Sequence, residues 1–257
     1  MMKQPNVNKD KIAFYAKQLR MPTLNRYQDV IRQMDKHESY DDFLIELLKN
    51  ETESRSENRR KRRLKAASFP FHKTFDEMDL KRYEHVSEAT LRELATCDFI
   101  SKGQNIVMIG NTGRGKTHYS IALGINACLQ GFNVKFYTAA NLSNELIDAA
   151  EYKRLIKLEK QLSKVDLLII DEASYITFSR HQSELLFKVI ADRAEKKSVI
   201  ISTNLKFSDW TELFENETMV AALIDRLTFR SHVLNMNGTS YRREHSAPQI
   251  EEVNNHV

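Results

Sequence analysis

Eight consecutive residues, Gly110-Asn111-Thr112-Gly113-Arg114-Gly115-Lys116-Thr117, combine three glycines, a lysine and a hydroxyl at fixed spacing. Each residue type answers a need of phosphate binding. Glycine lets the backbone curl tightly, so that successive N–H groups point inward at phosphate oxygens. Lys116 supplies a mobile cation for β and γ phosphates, and the Thr117 hydroxyl is a ligand suited to Mg²⁺. The stretch satisfies G-x-x-x-x-G-K-[ST] at every fixed position, with the strand-like IVMI before it and the helical THYSIALGINACL after it. That helix, entered through His118, adds its positive dipole end to the cradle. The whole chain has only seven glycines, so three within eight residues exceed what a plain turn requires. Residues 110–118 are therefore expected to hold a nucleoside triphosphate.

A second stretch, Val165-Asp-Leu-Leu-Ile-Ile-Asp171-Glu172, reads as a buried strand that ends in two acids. At the carboxyl edge of a parallel sheet these acids share a rim with the cradle. Asp171 then completes the Mg²⁺ shell, and Glu172 polarises a water for attack on the γ phosphate. The plainer reading is a helix N-terminus stabilised by two carboxylates. The adjacent glutamate, together with a strand expected at Val134–Tyr137, favours the ATP-hydrolysing branch of P-loop proteins. No Asn-Lys-x-Asp guanine reader occurs, so adenine is favoured over guanine. Val199-Ile-Ile-Ser-Thr203-Asn204 ends a further strand in a polar residue. Asn204 can orient the attacking water there, or simply form a turn. Arg226, in Ala-Leu-Ile-Asp-Arg-Leu, can reach a neighbouring subunit's γ phosphate or pair with Asp225 on the surface.

These groups need elements to position them. From Gln104 onward, short β-branched runs at Ile106–Ile109, Val134–Tyr137, Val165–Ile170, Val199–Ser202 and Val233–Met236 predict strands. Helical patterns at Thr117–Leu129, Leu142–Leu162 and Gln182–Glu195 separate the first four. The alternation predicts a parallel sheet covered by helices on both faces. The first third reads as helices. Ile12, Tyr15, Ala16 and Leu19 mark one face, and a second pattern runs from Leu24 to Met34. A third helix opens at a Ser39 or Asp41 cap, carries Phe43, Leu44, Leu47 and Leu48, and runs to about Ala67 before Phe69-Pro70. Expected boundaries are a helical domain over 1–67, a linker over 68–80, an ATPase core over 81–246 and a frayed tail over 247–257.

At 257 residues the chain accommodates one α/β domain with a small appendage. No run of apolar residues is long enough to span a membrane, and the start carries no secretory h-region. Two cysteines, Cys97 and Cys128, fit a reducing cytoplasm. The net charge of +4 is uneven: residues 1–70 hold sixteen Lys and Arg against ten Asp and Glu. Seven basic residues crowd positions 55–65, opposed there only by Glu57. Two readings fit, a polyanionic partner such as nucleic acid or a solvated helix face.

Taken together, these motifs resemble the IstB-like ATPases, helpers of IS21-type bacterial insertion sequences and near relatives of DnaC-type helicase loaders within the AAA+ superfamily. The resemblance covers about residues 11–245. In the core it rests on GNTGRGKTH, VDLLIIDE, LLFKVIADRAEKKSVIISTN, FSDW and ALIDRLTFRSHVLNMNGTSYR. In the front third it rests on AKQLRMPT and NETESRSENRRKRRLKAASFPFHKTFDEMDL, and this match favours helper over loader. The resemblance implies an α/β AAA+ core with a small all-helical N-terminal domain. It also implies assembly into a ring or filament on double-stranded DNA, with ATP and Mg²⁺ between subunits, recruitment of a transposase, and hydrolysis that resets the assembly. Lys116, Thr117, Asp171 and Glu172 keep their motif positions; Asn204 resembles the first sensor and Arg226 the intersubunit finger. Arg242 also matches a common position.

The chain departs from the family pattern at several points. Asn111-Thr112 replaces Pro-Pro, Arg114 replaces a small residue, Ala173-Ser174 follow Glu172 in place of Leu-Gly, and Ser202-Thr203 reverses Thr-Ser. No reacting group is lost. For DNA, Arg59, Arg62 and Arg63 fall at i, i+3, i+4 spacing on one helix face. Lys153, Arg154, Lys157 and Lys160 on a core helix offer an alternative. A helicase loader and a small-metabolite P-loop kinase remain competing readings; the Asp-Glu pair and basic front end weigh against the kinase.

Overall fold

The structure, a computed structural model, describes residues 7–34, 39–173, 178–194, 196–214 and 216–238. Arg242 and the expected tail at 247–257 lie outside them. The chain divides into two compact units, Met1–Arg62 and Arg63–Val257.

In the first unit, α1 (Val7–Gln18) leads through a 3-10 turn at Pro22–Arg26 into α2 (Tyr27–Gln33) and then α3 (Tyr40–Ala67), whose last five residues belong to the second unit. Ser39 caps α3: its hydroxyl accepts the Asp42 N–H at 3.2 Å, and the Asp42 carboxylate accepts the Ser39 N–H at 2.9 Å. Such reciprocal capping contributes on the order of 1 kcal/mol. Ala16, Val30 and Leu47 are buried, and a polar tie reinforces this small core. The Glu51 carboxylate, 4% exposed, accepts from the Thr23 N–H at 3.2 Å and from Arg55 Nε at 2.6 Å. Arg55 also donates to the Arg20 carbonyl at 2.7 Å. Tyr15, Leu19, Leu44 and Leu48, expected on buried faces, are exposed instead; a unit this small covers only part of each helical stripe.

The second unit is built on five parallel strands in the order β2-β3-β4-β1-β5. They are β1 (Asn105–Ile109), β2 (Val134–Thr138), β3 (Leu167–Asp171), β4 (Ser198–Thr203) and β5 (Ser231–Asn235). Because side chains alternate along a strand, each central strand feeds two cores. Leu167 and Ile169 of β3 pack on one face with α4 (Glu88–Ala95), α5 (Asp98–Ser101) and α6 (Lys116–Gln130). Leu168 and Ile170 pack on the other, with α7 (Ala139–Glu151), α8 (Leu155–Ser163), α9 (Arg180–Ala194) and α10 (Glu217–Thr228). This double burial explains the near-continuous apolar strands.

Two local differences from expectation stand out. The helix expected over Leu142–Leu162 is broken into α7 and α8 at Tyr152–Arg154, where Lys153 turns with φ +54°. Lys153 and Arg154 therefore sit in a turn, with the Arg154 guanidinium over the Tyr152 ring at 5.1 Å. Residues 68–80 are also more structured than a linker: 3-10 turns occupy Phe75–Glu77 and Leu80–Arg82, and Phe75 and Met78 pack against the first core. Phe69 joins them because Gly124 lacks a side chain; a Cβ there would lie 2.7 Å from the Phe69 ring.

Candidate nucleotide site

All five strands run the same way, so their carboxyl ends form one rim. The loop after β1 (Gly110–Gly115), the acids at the end of β3 and Asn204 after β4 gather there. A cleft of ≈ 410 Å³ opens at this rim, lined by Thr112–His118, Glu172 and Ser202–Asn204. Its size suits a small-molecule ligand.

α6 begins directly at Lys116, with Gly115 before it in a left-handed turn of φ +83°. The N-terminal N–H groups of this helix thus open onto the cleft. Lys116 Nζ donates to the Gly110 carbonyl at 2.5 Å and the Asn111 carbonyl at 3.0 Å, so its amine lies within the loop. Thr117 is half-buried at the first turn. His118 packs edge-on against Phe71 with ring centres 5.2 Å apart. Arg114 borders the cleft but is only 1% exposed, and its guanidinium bonds the main-chain carbonyls of Met236 and Asn237 just after β5.

Asp171 is 2% exposed, and its Oδ1 accepts a short hydrogen bond from the Ser202 hydroxyl. The same Ser202 oxygen accepts the Glu172 N–H at 3.2 Å, while the Ser202 carbonyl accepts the Ala173 N–H at 3.0 Å. Glu172 itself is exposed at the cleft with φ +57°. A left-handed glutamate costs on the order of 1–2 kcal/mol, and such outliers concentrate at functional sites. The next described helix, α9, starts at Arg180, so the acids do not directly open it.

The third wall comes from the segment assigned to a linker and from Arg82 and Tyr83 just after it. Phe71, Lys73, Glu77, Met78, Arg82 and Tyr83 also line the cleft. Tyr83 is buried, and that burial pushes its hydroxyl up to about 12, so it stays protonated at neutral pH. An aromatic and thioether wall with a few polar groups is suited to a purine base. Sequence reasoning missed it, and the run Phe69-Pro-Phe71 was the one available signal.

Arg226 does not line this cleft. It sits on α10 with its guanidinium 5.6 Å from the Phe187 ring centre on α9. Arg59 and Arg62 are exposed on α3, but Arg63 is half-buried and donates to the Cys128 carbonyl at 2.8 Å. Arg63 thus anchors the end of its helix to α6, and only two of the three expected arginines are presented to solvent.

Among comparisons with known proteins, the model of the family described as IstB-like ATP binding protein matches residues 15–248. The chain belongs to this IstB-like family. It is 32% identical over 246 residues to a putative ATP-binding protein of insertion sequence IS5376 from Geobacillus stearothermophilus, covering 95% of this chain and 98% of that one. It is 35% identical over 216 residues to the IS21 putative ATP-binding protein of Pseudomonas aeruginosa, covering 84% and 82%. AMPPCP-bound DnaA from Aquifex aeolicus superposes with a TM-score of 0.57 at 15% identity, over 68% of this chain and 53% of that one. This last likeness concerns the fold alone. The IstB-like chain is an ATP-binding P-loop protein with a five-stranded parallel sheet and a helical N-terminal region, equipped as an ATPase. Among the described residues no helix is long and apolar enough to cross a membrane.

Proposed function

We propose that this IstB-like protein is an ATP-dependent transposition helper: it assembles on double-stranded DNA, recruits or stimulates a transposase, and is reset by hydrolysis. The observation that carries the reading is the convergence of the phosphate loop and Glu172 on one cleft, with Asp171 buried behind its lining on the Ser202 hydroxyl. Likeness to insertion-sequence ATP-binding proteins along nearly the whole chain favours a helper over a helicase loader.

In this reading the loop amides and Lys116 bind the β and γ phosphates. The Thr117 hydroxyl and Asp171 carboxylate are hard oxygen donors, a set that fits Mg²⁺ shared with phosphates and water. Bound there, Mg²⁺ neutralises charge on the phosphates. Glu172 accepts a proton from the attacking water, and Asn204 orients that water. Arg226, outside its own cleft, is the group offered to a neighbour's γ phosphate. Exposed Arg59 and Arg62 contribute to holding DNA phosphates. Such a protein works in the bacterial cytoplasm, at the nucleoid when on DNA.

Electron microscopy of purified protein with duplex DNA and a slowly hydrolysed ATP analogue tests the proposal. Ordered rings or filaments are expected with both ligands present, and none from Lys116→Ala. Protein that stays monomeric with both ligands overturns it.

A further inference from the structure

We propose that Arg114 is a positioning residue for nucleotide binding: it latches the phosphate loop to the turn that leaves β5. The inference rests on the reading of this loop as the triphosphate cradle. Arg114 Nε donates to the Met236 carbonyl at 3.2 Å, and Nη2 donates to the Asn237 carbonyl at 2.9 Å. A planar guanidinium spans two successive carbonyls in this way; an ammonium is a point donor.

The same turn grips the loop at its other end. The Asn111 N–H donates to Asn237 Oδ1 at 3.1 Å, and the Met236 N–H donates to the Ile109 carbonyl at 2.7 Å. Asn237 is itself held, its N–H and Nδ2 donating to Asn235 Oδ1 at 3.1 and 2.8 Å. Gly110 approaches so closely that a Cβ would stand 2.6 Å from the Met236 carbonyl carbon. Gly238 makes room for the guanidinium: with φ +137°, its Cβ would fall 1.9 Å from Arg114 Nη2. Both flanks of the phosphate loop are thus stitched to Met236–Gly238.

The latch also carries charge. Arg114 is buried beneath the loop and borders the cleft, and its Nη1 has no hydrogen-bond partner among the described residues. A buried cation with one unpaired donor gains from negative charge nearby, which phosphates in the cradle supply. Arg114 therefore shapes the loop and adds a fixed positive field under it.

The test is nucleotide affinity on folded protein, by calorimetry for ATP and ADP with folding checked by circular dichroism. Arg114→Met is expected to weaken both nucleotides about tenfold, the factor equivalent to one charge-assisted hydrogen bond. Arg114→Lys should weaken them comparably, because charge without the fork cannot span two carbonyls. Gly238→Ala, which displaces the guanidinium from outside the loop, should reproduce the loss. Combined with Arg114→Met it should add nothing further. Wild-type affinity in folded Arg114→Met or Gly238→Ala protein, or additive losses in the double variant, overturns the latch. Affinity preserved in Arg114→Lys alone overturns the two-carbonyl geometry. A wild-type protein that ignores ATP instead overturns the nucleotide reading beneath it.

Discussion

The hydroxyl of Ser202 donates to the carboxylate of Asp171 across the junction of β4 and β3, and the same oxygen accepts the Glu172 N–H. One side chain of β4 therefore fixes both members of the acid pair. Ser202→Ala should leave ATP affinity within about threefold while slowing hydrolysis by roughly tenfold to a hundredfold, the range for misplaced catalytic groups. Ser202→Thr, which keeps the hydroxyl, should restore most of the rate. Phosphate release at saturating ATP, beside nucleotide titration, separates the two effects; full turnover in Ser202→Ala would remove Ser202 from the positioning of this pair.

Glu172 combines the proposed proton-accepting role with a left-handed backbone, and two substitutions separate these. Glu172→Gln should bind ATP normally and lose hydrolysis by about 10²-fold or more. Glu172→Gly should lose hydrolysis as well, yet gain stability of about 1 kcal/mol by relieving the positive φ. Thermal unfolding checks the second effect. A loss of stability in the glycine variant would show that the αL conformation carries no strain.

For Arg226→Ala, nucleotide binding should persist while hydrolysis falls by roughly 10³-fold, as for loss of an arginine finger. Mixing it with Glu172→Gln protein should recover part of the activity, since each supplies what the other lacks across a shared interface. Mixtures as inactive as their components would place the chemistry of Arg226 elsewhere.

Much of this arrangement is legible in the sequence, because the cradle and the acid pair are contiguous motifs at the ends of strongly apolar strands. The rest depends on contacts with no local pattern. Arg114 bonds main-chain carbonyls 122 and 123 residues away, and a carbonyl has no residue signature. The wall formed by Phe71, Met78 and Tyr83 lies in irregular backbone around two short 3-10 turns, which shows neither helical nor strand periodicity. The break after α7 occurs without glycine or proline: Lys153 adopts φ +54°. Arg63 shares its spacing with Arg59 and Arg62, and spacing alone cannot separate an anchored arginine from a presented one.

Reversing charge at Arg59 and Arg62 should reduce the steepness with which DNA affinity falls with salt, by about one unit of log–log slope per lost phosphate contact. Arg63→Glu should instead lower stability, because it removes the bond to the Cys128 carbonyl. Fluorescence anisotropy over a salt series checks the first, and an unchanged slope would move the DNA surface to another part of the chain.

Burial pushes the Cys97 thiol up to about 12 and the Cys128 thiol up to about 11, from an ordinary 9.0. Both are free and buried. Folded protein should therefore resist alkylation at pH 8, where the unfolded chain reacts readily. The sign of the linkage follows: the stabilising contribution is complete below pH 9 and is lost as pH rises through 11 and 12, because the unfolded chain releases these protons first. Mass-spectrometric counting of alkylated thiols checks this. Rapid labelling of native protein at pH 8 would contradict the burial.

Gly124 sits in the middle of α6, where glycine weakens an isolated helix by about 1 kcal/mol relative to alanine. What it allows is the seating of Phe69 against the same helix whose first turn carries Lys116 and Thr117. Phe69 stands two residues before Phe71, so the segment that lines the cleft and the phosphate loop are both fastened to this one helix. A larger side chain at position 124 should therefore register at the cleft as well as in the core, although the residue itself lines no part of it.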